Sequence, residues 1–261
     1  DVPSEDKIHE LRENLTGFGY KLAKGQVLRP KLFNQILSKA KGTDSEETIN
    51  QLVLRSQSQA EYSISNVGHF GLALARYAHF TSPIRRYSDL LVHRALIAAS
   101  NFDAGKKYSI ADQQLEDICK HISQTERRAA TAERAANDRY LASFMKDKLG
   151  QTFNATISGV KKFGVFVTIG QENVDALLPT SKLPADYYRY DERRQTLAGR
   201  HNGLVLGLGQ KIHVILKTAD AITGRLAVEY AGESSGYRNM DHLKAPDKTR
   251  SKISKNRRGK R

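Results

Sequence analysis

The spacing of apolar residues changes near Gln151, and this change divides the 261-residue chain into two kinds of structure. Before Gln151 the apolar residues recur every three or four positions, which is typical of amphipathic helices. After it they alternate with polar residues, as in Phe153, Ala155 and Ile157, which is typical of strands with one buried face. We therefore predict an α+β fold with a helical part over residues 1–150, a strand-rich part over 151–232 and a polar basic tail over 233–261.

The strand-rich part contains five short alternating segments separated by glycines and polar loops. Five short strands in so few residues predict a small closed barrel, and the OB-fold is the usual five-stranded barrel that binds single-stranded nucleic acid. The tail holds many lysines and arginines and few apolar residues, so no core can form there. We expect a flexible basic arm that attracts phosphate without regard to sequence.

The helical part carries recognisable helix starts and stops. Helices are predicted after Ser4, from Pro30 and after Asp44 or Ser45. A very long helix is predicted to begin at the capping-box pattern Ser109-x-x-Asp112 and to reach Gly150. The long helix is rich in charges of both signs at spacings of four residues. Most of these charges are expected to be solvated or paired.

The segment Tyr77–His93, YAHFTSPIRRYSDLLVH, is the least generic stretch of the helical part. Ser82 can cap a helix and Pro83 suits its first position, so we predict a helix that begins at about Pro83. The free N–H groups at that helix end, together with Arg85 and Arg86, would favour an anion such as phosphate. The alternative is an ordinary amphipathic helix whose arginines are solvated or paired with Asp89.

The chain has a formal net charge of +14 and a pI near 9.8, which favours nucleic acid or an anionic membrane surface as partner. Aromatic residues interleaved with the basic ones favour nucleic acid. No apolar run is long enough for a membrane span, and no signal-peptide pattern opens the chain, so a cytoplasmic location without membrane contact is expected. The single cysteine provides no Cys-x-x-Cys zinc site.

Two segments resemble known families. The run GHFGLALARYAHFTSPIRRYSDLLVHRAL, Gly68 to Leu96, resembles the signature of the RNB family of exoribonucleases, and GVKKFGVFVTIGQENVDALLPTSKL resembles S1-type RNA-binding domains, an OB-fold variant. The resemblance to RNB exoribonucleases runs from about Val2 to about Gly232. It implies the helical C-terminal half of an RNB catalytic domain, then an S1-type barrel, and therefore a piece of a longer enzyme.

The RNB resemblance also implies roles for particular residues. Arg85 matches the arginine that contacts the scissile phosphate, and Glu133 is a weaker match to a glutamate near the RNA end, with a surface salt bridge as the alternative. Ser82 and Arg86 are expected beside the RNA. We regard His79 and His93 as structural, because a metal-dependent hydrolase needs no imidazole base.

The S1 resemblance implies a base-stacking surface in the barrel. Phe163 and Phe166 match the stacking aromatics, with Phe153 as a third candidate, and Lys161 and Lys162 lie beside them to meet phosphate. Packing in the core is the alternative for one or two of these rings. The sequence departs from the family at Pro179, where many such domains place a histidine.

For the full-length protein the resemblance implies a 3′ to 5′ exoribonuclease that uses Mg²⁺ to release nucleoside 5′-monophosphates from single-stranded or structured RNA. It further implies a monomer, and ribosome association is an additional expectation. The metal-binding aspartates of the family have no match in this chain, and we expect them upstream of Asp1. A non-catalytic RNA-binding clamp, or a basic protein bound to ribosomes or DNA, are the alternative functions.

Overall fold

The computed structural model describes residues 2–23, 29–100, 102, 110–170, 172–192 and 194–233, and the chain forms two compact units. The helical unit comprises Asp1–Asp147 and Ala219–Arg225, and the barrel unit comprises Lys148–Thr218 and Leu226–Arg261. The domain boundaries expected at residues 150 and 232 stay predictions. Almost all of the expected basic tail lies outside the described residues.

The described residues of the helical unit form five α-helices: α1 Glu5–Gly17, α2 Pro30–Ala40, α3 Glu46–Ser56, α4 Tyr87–Ala99 and α5 Asp112–Met145. The predicted helices near Ser4, Pro30 and Ser45 are confirmed, and so is a long helix in the last part of this unit. That helix follows Ala111 without a side-chain cap and ends at Met145 instead of Gly150, and Ser109 of the predicted capping box lies outside the described residues. A single 3₁₀ turn, Lys146–Lys148, follows α5. None of the described helices combines the length and the apolar composition that a membrane span requires.

Helices α1, α2 and α3 share one apolar core, because each places its large apolar residues on one face. Ser4 caps α1 by accepting a hydrogen bond from the Lys7 backbone N–H at 3.5 Å. Burying each large apolar side chain contributes roughly 1.5–3 kcal/mol, so this cluster accounts for most of the local stability. Its buried members are Ile8, Leu11, Leu15, Leu22, Phe33, Ile36, Ala40, Ile49 and Val53.

The predicted start of the signature helix at Pro83 is wrong, since α4 begins at Tyr87. The preceding residues form a separate turn in which the Arg86 backbone N–H donates to the Ser82 carbonyl at 3.0 Å. Arg86 itself has extended backbone angles, φ −122° and ψ 115°, which interrupt the helix. The Asp89 carboxylate accepts from the Ser82 backbone N–H at 2.7 Å, so the acidic side chain of the helix stabilises the turn instead.

The barrel unit contains eight strands: β1 Thr152–Lys161, β2 Gly164–Ile169, β3 Val174–Pro179, β4 Tyr188–Asp191, β5 Thr196–Gly199, β6 Val205–Gly207, β7 Lys211–Asp220 and β8 Arg225–Glu233. Five of them close into a barrel in the order β1-β2-β3-β8-β7, which confirms the predicted five-stranded architecture. The described pairing of β3 with β8 is parallel and consists of one residue pair, Leu177 with Ala227.

The barrel core follows from strict alternation along the strands. On β2 the side chains of Val165, Val167 and Ile169 are fully buried, while the residues between them lie on the outer face. Ile157 and Val160 on β1 are also fully buried, on either side of an irregularity in the pairing with β2. The outer face of β1 and β2 is therefore left for binding.

Strands β4, β5 and β6 form a separate antiparallel sheet inserted between β3 and β7. Sequence analysis did not predict this sheet. Leu197 on β5 and Leu206 on β6 are fully buried, and together they give this small sheet one inner face.

Candidate nucleic-acid interface

Two phenylalanine rings project from the hairpin that joins β1 and β2. Phe163 is 57 % exposed and Phe166 is 38 % exposed, although both are large apolar side chains. Their ring centroids lie 6.0 Å apart with the planes at 89°. Exposed aromatic faces of this kind are the stacking platforms on which proteins hold single-stranded bases.

Phe166 points outward because its neighbours Val165 and Val167 point into the barrel. The irregular pairing on β1 places Gly159 directly opposite Phe166. A Cβ atom at Gly159 would lie 3.5 Å from the Phe166 ring, so the ring rests on bare backbone. The ring therefore packs against the outer face of β1 at Gly159.

Phe163 is positioned by the turn that follows it. Gly164 has φ +155°, and a Cβ atom there would lie 2.4 Å from the Leu178 carbonyl oxygen, so only glycine fits. The Thr180 backbone N–H donates to the Phe163 carbonyl at 3.0 Å. Pro179 pairs with Gly164 and contributes an aliphatic ring. This is the position at which the S1 resemblance implies a histidine.

Lys161 and Lys162 are exposed in the same hairpin. Within the described part of the chain, neither ammonium group has a carboxylate within 4.0 Å, so both remain available to an external anion. Farther along the same face, the Thr168 hydroxyl donates to Asp175 at 3.0 Å. The positive charge is therefore concentrated at the hairpin end of the face, beside the two rings.

Phe153 does not join this platform. It pairs with Val214, whose side chain is fully buried, and it follows the same alternation as Ala155 and Ile157. Paired residues of an antiparallel ladder share a face, so the half-buried Phe153 ring lies on the inner face at the end of the barrel. The expected role of Phe153 in stacking stays a prediction, but its placement differs from that of Phe163 and Phe166.

The expected phosphate-contacting residues of the helical unit lie in the turn before α4. Arg85 is exposed, and the adjacent Ile84 is fully exposed. Arg86 is not free: its Nη2 donates to Asp89 Oδ2 at 2.9 Å. Ser82 is bound to the same carboxylate through its backbone N–H, so the structure separates an outward Arg85 from an inward Ser82 and Arg86.

Asp89 is fully buried and is the centre of that turn. Burial alone would raise the pKa of its carboxyl group, but the Ser82 N–H, the Arg86 guanidinium and the Ser88 hydroxyl together hold the pKa below its ordinary value. The Ser88 hydroxyl donates to the second carboxylate oxygen at 3.1 Å. Sequence analysis had named Asp89 only as a partner for an arginine, whereas it organises the whole turn.

Glu133 lies on an exposed stretch of α5. Among the described residues, no lysine, arginine or histidine nitrogen lies within 4.0 Å of its carboxylate, so the salt bridge expected as the alternative does not form there. Small residues flank it, including Ala132 and Ala135, which leaves the carboxylate accessible.

Both histidines of the signature have structural partners, as expected. The His93 Nε2 atom and the Phe80 carbonyl lie 2.8 Å apart, and the two rings stack with centroids 4.2 Å apart. The His79 Nδ1 atom lies 3.1 Å from the Tyr62 hydroxyl. Tyr77 contacts the His79 ring edge to face, with the centroids 5.6 Å apart.

A cavity of about 610 Å³ opens in the helical unit beside these rings. Tyr62, Ser88, Cys119 and Glu126 are among its lining residues. Burial is the largest cause that raises the pKa of the Tyr62 hydroxyl, and the Glu126 carboxylate raises it further. Sequence analysis did not predict this cavity, because its walls come from four separate segments.

The described residues do not assemble a metal site. Within the part of the chain that the structure describes, no three histidine, cysteine, aspartate or glutamate side chains lie together in a way that could hold a metal ion. The described residues therefore do not fit a divalent metal centre by themselves.

Comparison with known proteins places the two units in families. Residues 1–101 match the RNB domain and residues 146–230 match the S1 RNA binding domain. Ribonuclease R of Aquifex aeolicus (strain VF5) is 39 % identical over 229 residues, which is 88 % of this chain and 32 % of that protein. The chain matches one portion of ribonuclease R. Both resemblances expected from the sequence are thereby confirmed.

A second ribonuclease R, from Lactococcus lactis subsp. lactis (strain IL1403), is 36 % identical over 88 % of this chain and 28 % of its own length. The solved structure of Mycoplasma genitalium RNase R in complex with ribose methylated single-stranded RNA has a TM-score of 0.81 and 28 % sequence identity. The match covers 88 % of this chain and 37 % of the Mycoplasma genitalium chain. The chain thus spans about a third of the length of the ribonuclease R proteins it matches.

Proposed function

We propose that this chain provides the RNA-holding part and one wall of the active site of a 3′ to 5′ exoribonuclease that hydrolyses RNA to nucleoside 5′-monophosphates. The observation that carries the proposal is the pair of exposed rings, Phe163 and Phe166, beside Lys161 and Lys162 on a closed S1-type barrel. Similarity to ribonuclease R supplies the reaction class.

Single-stranded RNA is the proposed ligand of the barrel face. Two ring faces can each stack on a base whatever its identity, and two unpaired lysines can meet the phosphates between bases. The solved structure of the similar Mycoplasma genitalium RNase R is a complex with ribose methylated single-stranded RNA, which supports this choice. Structured RNA is proposed as a further substrate of the whole protein.

Arg85 is the proposed catalytic residue of this chain. Its guanidinium is free to extend from the turn, whereas Arg86 is held by Asp89, so the two adjacent arginines divide into one that contacts phosphate and one that fixes the turn. A planar guanidinium can follow the negative charge that builds on non-bridging oxygens during hydrolysis. Glu133 is proposed to lie near the RNA end, supported by its accessible carboxylate.

For the whole protein we propose Mg²⁺ as the metal, a cytoplasmic location, a monomeric state and an association with ribosomes. The family supports a divalent metal in general, and a bound ion would polarise the scissile phosphate and activate water. The net charge of +14 supports contact with RNA-rich partners.

A non-catalytic RNA-binding clamp is the second candidate function. The described residues contain no cluster of carboxylates able to hold a metal, which fits this clamp and fits equally an exoribonuclease whose metal ligands lie elsewhere in the protein. In the clamp, Arg85 would bind phosphate without contributing to hydrolysis.

A degradation assay separates these functions. Single-stranded RNA labelled at its 5′ end is incubated with the chain and Mg²⁺, alone and together with a polypeptide that carries the remainder of a ribonuclease R relative. Progressive shortening from the 3′ end that falls on the order of 100-fold in Arg85→Ala supports the exoribonuclease. RNA binding without shortening in either case supports the clamp.

A DNA strand of the same sequence provides the specificity control. Equal affinity for DNA and RNA would contradict both functions, because RNA readers distinguish the 2′-hydroxyl.

A further inference from the structure

We propose that the small inserted sheet carries a second surface for single-stranded RNA, formed by Tyr187, Arg189, Arg200 and His201. This surface is called the insertion face below. The inference rests on the proposed RNA-binding function of the barrel and extends the bound strand beyond Phe163 and Phe166.

The strand register places the members of the insertion face together. Arg189 on β4 pairs with Ala198 on β5, and the Arg200 backbone N–H donates to the Tyr187 carbonyl at 3.1 Å, which continues the same pairing outward. Residues two positions apart on a strand share a face, so Tyr187 and Arg189 lie on one side with Ala198 and Arg200 opposite them. The small Ala198 side chain leaves space between the two arginines.

The insertion face is directed to solvent because the other side of the sheet is buried. Leu197 on β5 and Leu206 on β6 have no exposed surface, and they alternate with the residues of the insertion face. Tyr187 is 71 % exposed and the His201 side chain is 75 % exposed. A large aromatic side chain left in water beside cationic groups indicates a contact surface rather than part of a core.

The two arginines are available for a ligand. In the described ranges of the chain, neither Arg189 nor Arg200 has a carboxylate oxygen within 4.0 Å. The acidic residues of this hairpin, Asp191 and Glu192, follow Arg189 at the opposite end of β4 from Tyr187. They limit the positive surface on that side.

Asp186 fixes the end of the insertion face. Its carboxylate accepts hydrogen bonds from the backbone N–H groups of His201 and Asn202, both at 2.7 Å, and pairs with His201 Nδ1 at 2.9 Å. These donors, with the Asn202 N–H as the largest contribution, lower the pKa of the Asp186 carboxyl group against the opposing effect of burial. Only 1 % of the Asp186 side chain is exposed, so its negative charge is directed inward.

The turn beneath the face is closely packed. A Cβ atom at Gly199 would lie 2.1 Å from the Asn202 side-chain oxygen, and the Asn202 Nδ2 donates to the Tyr188 hydroxyl at 3.0 Å. Tyr187, Arg200 and His201 are therefore presented from a backbone that is already ordered. Little backbone conformational entropy remains to be lost at this turn when a ligand binds.

Single-stranded RNA fits this chemistry better than an acidic protein surface. An exposed tyrosine provides a stacking platform for a base, and guanidinium groups bind phosphate and also stack on base planes. Carboxylates of a protein partner would use the arginines but leave the tyrosine face without a role. The insertion face also belongs to the same compact unit as the proposed barrel site.

The test measures RNA affinity of the full chain as a function of salt, with labelled oligouridines of about 5 and about 20 nucleotides. The first length lies near the lower end of the site size of one OB-fold, and the second exceeds that site size. The double variant Arg189→Gln/Arg200→Gln should reduce the slope of log affinity against log salt for the long RNA by about 1.4, because each lost phosphate contact accounts for about 0.7. The short RNA should be unaffected. Tyr187→Ala should weaken binding of the long RNA on the order of 10-fold.

Two controls define the outcomes. Lys39→Gln/Lys41→Gln removes the same charge from an exposed part of the helical unit and should leave the slope unchanged, and Arg189→Lys/Arg200→Lys should restore it. A wild-type slope in the glutamine variant on the long RNA overturns the inference and leaves an acidic protein as the ligand of the face. Failure of the wild-type chain to bind either RNA overturns the proposed function instead.

Discussion

The two exposed rings of the barrel provide the most direct test at the scale of single residues. Phe163→Ala/Phe166→Ala should weaken binding of single-stranded RNA by roughly 1–3 kcal/mol for each base that no longer stacks. Both rings lie on the outer face and not in the barrel core, so the double variant should remain folded. Affinity is measured by fluorescence anisotropy with labelled oligouridine.

Tyr140→Ala is the matched control for the two rings. It removes another exposed aromatic side chain, 78 % exposed, from the helical unit. If the double variant binds RNA as tightly as the wild type while remaining folded, the rings do not stack on bases.

Asp89 provides a second test, because a buried carboxylate links stability to pH. Its folded-state pKa lies below the ordinary value of 3.8, so the ionised group stabilises the helical unit above that pH, and this contribution is lost as the pH falls through the lower folded-state value. Asp89→Asn should reduce the free energy of unfolding at neutral pH by roughly 1–3 kcal/mol. The difference from wild type should narrow at acidic pH, as measured by urea unfolding across a pH series.

Asp117→Asn serves as the reference variant for Asp89. It lies exposed on α5, and its substitution should change stability by less than about 0.5 kcal/mol. A difference between wild type and Asp89→Asn that stays constant with pH would contradict the assignment of a lowered pKa.

At the scale of elements, the β1–β2 turn depends on one glycine. Gly164→Ala should destabilise the barrel by more than about 2 kcal/mol, because backbone strain of about 1–3 kcal/mol adds to the clash of the new methyl group with the Leu178 carbonyl. Gly150→Ala has a positive φ of +82° but open space around it, and should cost only about 1 kcal/mol. Thermal denaturation of both variants compares them, and equal losses would mean that the clash is relieved at no cost.

The elements that sequence analysis predicted well are those with a long periodic pattern. The strand around Val165 alternates strictly, and its inward residues are fully buried, so tertiary contacts reinforce the local preference. The helix from Asp112 is mostly exposed, and its length of 34 residues makes the helical pattern recognisable without such contacts. The start of α4 was mispredicted because the capping signal of Ser82 and Pro83 is local, whereas its outcome depends on the Asp89 carboxylate seven residues later. Local patterns do not reveal such competition.

The inserted sheet illustrates a second limit of sequence reasoning. Its strands have only three or four residues, as in Val205–Gly207, and too few positions to establish alternation. The paired exposure of Phe163 and Phe166 was predictable from the family pattern. The insertion face was not, because Tyr187 and Arg200 become neighbours only through the pairing of β4 and β5.

At the scale of the whole molecule, the net charge of +14 is partly concentrated in the C-terminal residues. Residues 244–261 contain nine lysines and arginines and one acid, and they lie outside the described residues. Their removal should reduce the slope of log affinity against log salt by about 0.7 for each phosphate they contact. An unchanged slope in filter-binding titrations would show that these residues do not touch RNA.

The closure of the barrel also has a kinetic consequence. The ladder between β3 and β8, with the single pair Leu177–Ala227, resists separation less than the longer ladders that β1 forms with β2 and β7. The barrel should therefore open first between β3 and β8, before β1 separates from β2 or β7. Amide protons near Leu177 on β3 would then exchange with solvent faster than those of β2. A nucleic acid that contacted both β3 and β8 would slow that exchange by holding the two strands together.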